Sequence, residues 1–91
     1  MRVAIKEAEL AKNAGEVPIG AVIVDSKKNI ISRGRNMTRE LSDPTAHAEI
    51  VAIRRACNSL NSERLIDCSI YVTIEPCPMC SSAIATAHIK N

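Results

Sequence analysis

Apolar and polar residues follow one another along the chain with a period that changes from segment to segment. Near the start, Ala4, Ala8 and Ala11 recur at helical spacing, which predicts an amphipathic helix. The next apolar runs are short and β-branched, as in buried strands, and the polar residues between the first two predict a hairpin. The predicted elements are a helix at 2–14, strands at 17–25 and 30–34, a helix from Pro44 to about Cys57, a strand at 68–74 and a helix from Pro76 to roughly Ala87.

Two prolines mark the predicted starts of the later helices. Asp43 suits a helix N-cap and Pro44 the first helical position, and Pro76 is expected to open the last helix. The order α-β-β-α-β-α contains a strand, a helix and a strand in succession, which predicts a right-handed crossover in a three-layer α/β arrangement. The strand at 68–74 is apolar on both faces, which favours parallel neighbours.

Composition places this pattern in a small soluble domain. The 91 residues are 46% hydrophobic and 24% charged with a net charge of +2, and Tyr71 is the only aromatic residue, so the core is expected to be aliphatic. Charged residues interrupt the first segment, unlike a signal peptide, and no apolar run approaches the ~20 residues that span a bilayer. We therefore expect a cytoplasmic protein without membrane contact.

The charge distribution adds one candidate surface. Residues 27–39 contain five basic side chains and no acidic one. Such a segment is consistent with a solvated hairpin and loop, and equally with an edge that contacts nucleic-acid phosphates. Its basic residues are Lys27, Lys28, Arg33, Arg35 and Arg39.

Four residues at the predicted helix starts carry candidate chemistry. His47 and Glu49 follow Pro44, and Cys77 and Cys80 follow Pro76. Cysteines three residues apart lie on one helix face, and the positive end of a helix favours the thiolate that binds metal. A histidine and two thiolates at two facing helix starts would supply three ligands to one Zn²⁺.

The number of ligands decides what kind of zinc site this is. A structural zinc has four protein ligands, whereas a catalytic zinc leaves one position for water. The remaining candidates are Cys57, Cys68 and His88; the cysteines are better explained as small buried residues and the histidine as a surface residue. An open site is thus favoured over a closed site or a redox cysteine pair, and Glu49 is free to move protons.

The same residues carry a resemblance to a known family. The chain resembles the zinc-dependent cytidine and adenosine deaminase superfamily in HAE and PCPMC. It is most similar to the bacterial tRNA-specific adenosine deaminases in the longer segments EVPIGAVIV, DPTAHAEI and RLIDCSIYVTIEPCPMC. The resemblance implies a three-layer α/β/α cytidine-deaminase-like sandwich that hydrolyses adenosine to inosine in a tRNA anticodon loop, at the wobble position, using zinc.

The resemblance also implies the roles of individual residues. It makes His47, Cys77 and Cys80 the zinc ligands and Glu49 the proton shuttle between the attacking water, the purine ring and the departing ammonia. It further implies three residues that bind the substrate: Asn36 through its side chain, Ala48 through its backbone, and Ile19, with Pro18 and Gly20, as pocket wall. From the residues alone, Asn36 is equally explained by ordinary turn chemistry.

Several alternatives stay open at this stage. Guanine and cytosine or cytidine deaminases share the DPTAHAE and EPCPMC patterns, and an inactive zinc-stabilised fragment belongs to a different functional class. Since the family continues with two further strands and a helix, residues 1–91 are expected to form a single but incomplete deaminase domain. We expect this fragment to be a poor enzyme alone and the full-length form to be a homodimer.

Overall fold

A computed structural model describes residues 1–89. Its elements occur in the predicted order α-β-β-α-β-α. They are helix α1 (Arg2–Asn13), strands β1 (Gly20–Val24) and β2 (Ile30–Arg35), helix α2 (Ala48–Leu60), strand β3 (Ser69–Val72) and helix α3 (Pro78–Thr86). None of the helices in this part of the chain is long and apolar enough to cross a lipid bilayer.

The strands form one sheet with the order β2-β1-β3. The predicted hairpin is confirmed, because β1 pairs antiparallel with β2, and Gly20 lies opposite Arg35. β1 also pairs antiparallel with β3, so the expectation of parallel neighbours for β3 is wrong within the described residues. Apolar residues on both faces of a strand indicate that helices cover both faces of the sheet. They do not indicate whether the adjacent strand runs parallel or antiparallel. β2 and β3 run parallel on either side of β1, and α2 connects them.

The side chains of β1 divide the core into two layers. Val22 and Val24 face α1, where they pack with the fully buried Ala4. Ala21 and Ile23 point to the opposite face and pack in the cluster that contains the buried side of α2. This alternation buries both faces of the sheet, and it confirms the three-layer α/β/α arrangement.

Helix α2 approaches the sheet unusually closely at β2. A Cβ atom added to Gly34 would meet the carbonyl oxygen of Ala48 and lie 2.6 Å from the backbone nitrogen of Ala52. Two residues earlier on the same strand, the buried Ser32 Oγ donates a 2.7 Å hydrogen bond to the carbonyl oxygen of Ala52. These contacts fix the N-terminal half of α2 against β2.

Gly34→Ala is therefore expected to destabilise the protein by about 1–3 kcal/mol, because the added methyl group meets helix backbone and not a flexible side chain. Urea denaturation of the variant and the parent protein measures the loss. Arg33→Ala on the same strand is the control, since the Arg33 side chain is exposed. Equal stability of Gly34→Ala and the parent would contradict the close approach.

The two later helices begin further along the chain than predicted. Asp43 does not cap α2, because its Oδ1 accepts hydrogen bonds from the N–H (2.9 Å) and the hydroxyl (2.6 Å) of Thr45 in a turn. His47 is the N-cap instead. In α3, Pro78 and not Pro76 is the first helical residue. A residue before proline is disfavoured in helical conformation, and Cys77 accordingly has the extended values φ −71° and ψ 169°.

Candidate metal centre

The predicted ligands lie together at the starts of α2 and α3. Nδ1 of His47 is 3.7 Å from Sγ of Cys77 and 3.5 Å from Sγ of Cys80. The three ligand atoms all lie within 4.8 Å of one another. Residues separated by 30 positions in sequence thus form one compact donor set.

This donor set has the dimensions of a zinc site. Zn–S bonds of ~2.3 Å and Zn–N bonds of ~2.0–2.1 Å at tetrahedral angles place nitrogen and sulfur about 3.5 Å apart, which agrees with both measured separations. Within residues 1–89, no fourth His, Cys, Asp or Glu joins the group. Imidazole and thiolate are also the ligand types that zinc prefers. The residues present therefore fit a three-ligand zinc with one open position.

The local backbone explains why these side chains are available. His47 and Cys77 are both N-cap residues in extended conformation, and neither side chain makes a capping hydrogen bond. A Ser, Thr or Asp at such a position would normally bind the free N–H groups of the first turn. Here the imidazole of His47 and the thiol of Cys77 extend beyond the N-terminal ends of the two helices. The partial positive charge at these ends favours anionic ligands.

The two thiols are placed in different electrostatic surroundings. The nearby backbone N–H of Cys80, in the first turn of α3, stabilises the thiolate form of Cys77 and so lowers the pKa of its thiol. Burial, with a smaller contribution from the negative charge of Glu49, raises the pKa of the Cys80 thiol to about 12. Cys80 is thus a neutral thiol unless a cation binds, and a metal ion would displace its proton.

Glu49 lies beside the cluster without belonging to it. Its side chain is in the first turn of α2 and only 3% exposed, and its charge raises the pKa of Cys80. It is not among the three residues whose ligand atoms converge. A buried carboxylate next to an open metal position is suited to move protons there.

The three predicted substrate-binding residues also lie near this end of the sheet. The backbone N–H of Asn36 donates a 3.1 Å hydrogen bond to the carbonyl oxygen of Ile19, and the Asn36 side chain is 3% exposed. Ala48 is the first residue of α2, so its N–H has no intrahelical acceptor. The geometry brings these groups to one region, and their binding roles remain predictions.

The other cysteines and the second histidine lie outside the metal centre. Cys68 is buried in the main core, as its interpretation as a small buried residue predicts. Cys57 and the exposed His88 line a cleft of about 570 Å³ between α2 and α3. Burial raises the pKa of both Cys57 and Cys68, which favours the unreactive thiol form.

The basic segment divides into two parts in the structure. Lys27 and Lys28 lie in the β1–β2 turn, at the opposite end of the sheet from Asn36. The length of β2 separates these two ends by roughly 17 Å. Arg35 lies at the metal-centre end, where it pairs with Glu40 at 3.4 Å. The segment is therefore not one continuous phosphate-binding edge.

Sequence reasoning missed one residue of this region, Glu16. Its side chain is 6% exposed, and its carboxylate accepts hydrogen bonds from the backbone N–H groups of Arg39 and Glu40. The available signal was a single acidic residue directly before an apolar run, where a charge is costly unless it has partners.

Comparisons with known proteins agree with this geometry. Residues 1–91 match the family described as the cytidine and deoxycytidylate deaminase zinc-binding region. The whole chain is 48% identical to the tRNA-specific adenosine deaminase of Haemophilus influenzae and 50% identical to that of Aquifex aeolicus, and spans 53% and 60% of their lengths. It therefore spans little more than half of these curated relatives.

Two solved structures are similar over 98% of the chain. One comes from biochemical and structural studies of A-to-I editing by tRNA:A34 deaminases, with a TM-score of 0.95, 53% identity and 68% of that chain covered. The other is guanine deaminase from Bacillus subtilis, with a TM-score of 0.93, 47% identity and 57% of that chain covered. By its full-length match and its cluster of one histidine and two cysteines, the chain belongs to the family of the cytidine and deoxycytidylate deaminase zinc-binding region.

Proposed function

We propose that this chain carries the catalytic centre of a hydrolase that deaminates adenosine to inosine at the wobble position of a tRNA anticodon. The observation that carries the proposal is the convergence of His47, Cys77 and Cys80 beside the buried carboxylate of Glu49. Sequence similarity supports the substrate, because curated relatives about 50% identical to the chain are tRNA-specific adenosine deaminases.

In this mechanism the chain provides three ligands and one proton shuttle. His47, Cys77 and Cys80 would hold the zinc, which when bound would lower the pKa of a water molecule to near ~7. Glu49 takes one proton from the attacking water and delivers it to the ring nitrogen. It then carries the second proton, from the hydroxyl newly bonded to the ring carbon, to the amino group, which leaves as ammonia. Its burial limits competition from bulk water at the carboxylate.

The substrate-binding roles form part of the same proposal. Asn36 binds the purine nucleoside through its side chain, and the backbone of Ala48, at the free N-terminal end of α2, contacts the base. Ile19 forms part of the pocket wall, and its pairing with Asn36 supports this placement because it joins the two segments directly.

Guanine deamination is the second candidate, and one observation favours it. A guanine deaminase is 47% identical to the chain and has a TM-score of 0.93, nearly the values found for the structure from the tRNA:A34 deaminase studies. Both reactions replace an amino group on a purine ring by hydrolysis. The metal centre alone therefore serves either substrate.

A substrate panel separates these candidates. We expect the zinc-loaded protein to convert adenosine to inosine in an anticodon stem-loop, with little activity on free guanine, cytosine or cytidine. Because phosphate contacts release counterions, the affinity for the stem-loop should fall steeply with salt concentration. Faster turnover of a free base than of the stem-loop would contradict the proposal, and absence of any turnover would favour an inactive fragment.

The divided basic segment leads to a more specific expectation for RNA binding. Arg39 is exposed in the loop near Asn36, whereas Lys27 lies in the distant hairpin turn. Arg39→Gln should weaken binding of the stem-loop and reduce the slope of its salt dependence by about 1. Lys27→Gln is the matched control, with a smaller expected effect. Equal losses in the two variants would show that RNA covers both ends of the sheet.

The assembly and location belong to the same proposal. We infer that residues 1–91 are part of one deaminase domain, since both core clusters share a single sheet. We also infer that the full-length protein acts as a cytoplasmic homodimer, in keeping with a tRNA substrate. The cleft between α2 and α3, with half-buried Ile50 and Ile53, is apolar surface that a second copy can cover. Sedimentation of a monomer at all concentrations would contradict the dimer.

A further inference from the structure

The loop between β2 and α2 is tied to the end of α1 by one carboxylate. Glu16 Oε2 accepts hydrogen bonds from the backbone N–H of Glu40 at 2.8 Å and of Arg39 at 3.1 Å. Its Oε1 accepts a 3.4 Å hydrogen bond from the Thr38 hydroxyl. Three donors from consecutive residues of the loop therefore converge on a side chain that is 6% exposed.

The surroundings of the Glu16 carboxylate favour its ionised form. Burial raises the pKa of Glu16, but the hydrogen bonds from Glu40, Arg39 and Thr38 outweigh burial and lower the pKa below its ordinary value. Hydrogen bonds to the ionised form stabilise that form. Glu16 is thus an ionised carboxylate held mainly by N–H groups of the loop.

Thr38 connects this carboxylate to Asn36. The Thr38 hydroxyl has a single hydrogen, which it donates to Glu16, so its lone pairs are left to accept hydrogen bonds. Asn36 Nδ2 donates to that hydroxyl oxygen at 3.5 Å. One of the two amide hydrogens of Asn36 is thereby occupied, while the other hydrogen and Oδ1 have no hydrogen-bond partner among residues 1–89 and are available to a ligand.

We propose that Glu16 is a positioning residue, which acts through Thr38 to fix the loop at residues 37–42 and the orientation of the Asn36 amide. Together with the bond from the Asn36 N–H to the Ile19 carbonyl, this connection sets both the backbone and the side chain of Asn36. The proposal rests on the proposed function in one respect, the role of Asn36 in binding the purine. Because Asn36 is proposed to bind the purine and not to move protons, a change at Glu16 should appear in KM and not in kcat.

Three variants isolate this connection. Thr38→Val keeps the branched shape and removes the hydroxyl, whereas Thr38→Ser keeps the hydroxyl. Glu16→Gln keeps the shape but replaces one acceptor oxygen by an NH2 group that faces loop N–H donors. Asp25→Asn is the matched control, because Asp25 Oδ1 accepts 2.9 Å hydrogen bonds from the N–H groups of Lys27 and Asn29 in the distant hairpin turn.

Steady-state kinetics of the zinc-loaded variants on the anticodon stem-loop test the proposal. We expect Thr38→Val and Glu16→Gln to raise KM about tenfold while kcat changes less than about threefold. Thr38→Ser should restore KM. Asp25→Asn should lower thermal stability without changing KM, which is the result expected for a residue with a purely structural role. If wild-type protein is active and Thr38→Val has an unchanged KM, the proposal is overturned.

NMR gives a readout that does not depend on the reaction. In ¹⁵N-labelled protein, Thr38→Val and Glu16→Gln should shift the side-chain amide signals of Asn36, and Glu16→Gln should speed hydrogen exchange at Arg39 and Glu40. Asp25→Asn should leave these signals in place. Unchanged Asn36 signals would overturn the positioning role even in an inactive protein, whereas a failure of the proposed function alone would appear only as absent turnover.

Discussion

Cys80→Ser and Cys77→Ser are each expected both to remove zinc from the protein and to lower its thermal stability. Each change deletes one of three ligands whose atoms lie within 4.8 Å of one another, and two protein ligands hold zinc poorly. Because metal-binding energy is also folding energy in small metal domains, the midpoint of thermal unfolding should fall by more than about 10 °C. Elemental analysis should show one zinc per parent chain and less than about 0.1 per variant chain.

Cys57→Ser is the control for these substitutions. Cys57 is half-buried and lines the cleft between α2 and α3, outside the metal centre. This variant should retain zinc and lose little stability. Parent protein without zinc, after purification without a chelator, would refute the metal assignment. Full zinc occupancy in both Cys77→Ser and Cys80→Ser would show that these sulfurs are not ligands.

The sequence was sufficient to predict the elements and the donor set for a physical reason. Helical and strand periods are local, and Ala4, Ala8 and Ala11 indicate their helix without knowledge of its partner. The proposed zinc ligands are similarly constrained, because a zinc site needs a few donor atoms of defined type close together. The three predicted ligands accordingly lie together in the structure.

The helix starts were harder to predict because each depends on competition between neighbouring residues. Pro76 and Pro78 both suit a first helical position, and only the restriction that Pro78 places on Cys77 decides between them. Asp43 likewise had two possible partners, the helix end and the nearby Thr45, and its carboxylate binds Thr45. These later helix starts change the description of the site, because His47 and Cys77 are N-cap residues and not residues of the first helical turn.

Long-range polar contacts could not be predicted from local patterns at all. The hydrogen bonds of Glu16 join residues 22 to 24 positions apart. The helical and strand periods of the sequence do not indicate contacts over such distances. The same limit applies to the basic segment, whose residues are neighbours in sequence but lie at opposite ends of a strand. The distance between the two ends of this segment becomes clear only from the hairpin register, in which Gly20 lies opposite Arg35.

Glu49→Gln is expected to lower kcat on the stem-loop by a factor of about 10²–10⁴ while the zinc content stays at one per chain. Glu49 is buried beside the ligands but is not one of them, so the change removes proton transfer and leaves metal binding intact. Gln has nearly the same volume, which avoids the cavity that Glu49→Ala would create at a 3% exposed position. KM should change much less than kcat, because the carboxylate acts on protons that move in the transition state.

A comparison with Glu63→Gln separates this effect from a general loss of negative charge. Glu63 is exposed after the end of α2 and lines the cleft that contains Cys57, so its variant should keep both zinc and activity. Single-turnover kinetics on the stem-loop, with zinc measured on the same samples, give the decisive reading. If Glu49→Gln retains activity at full zinc occupancy, another group must move the proton. If Glu49→Gln loses zinc together with activity, Glu49 contributes to metal binding, and its role as a separate proton shuttle is wrong.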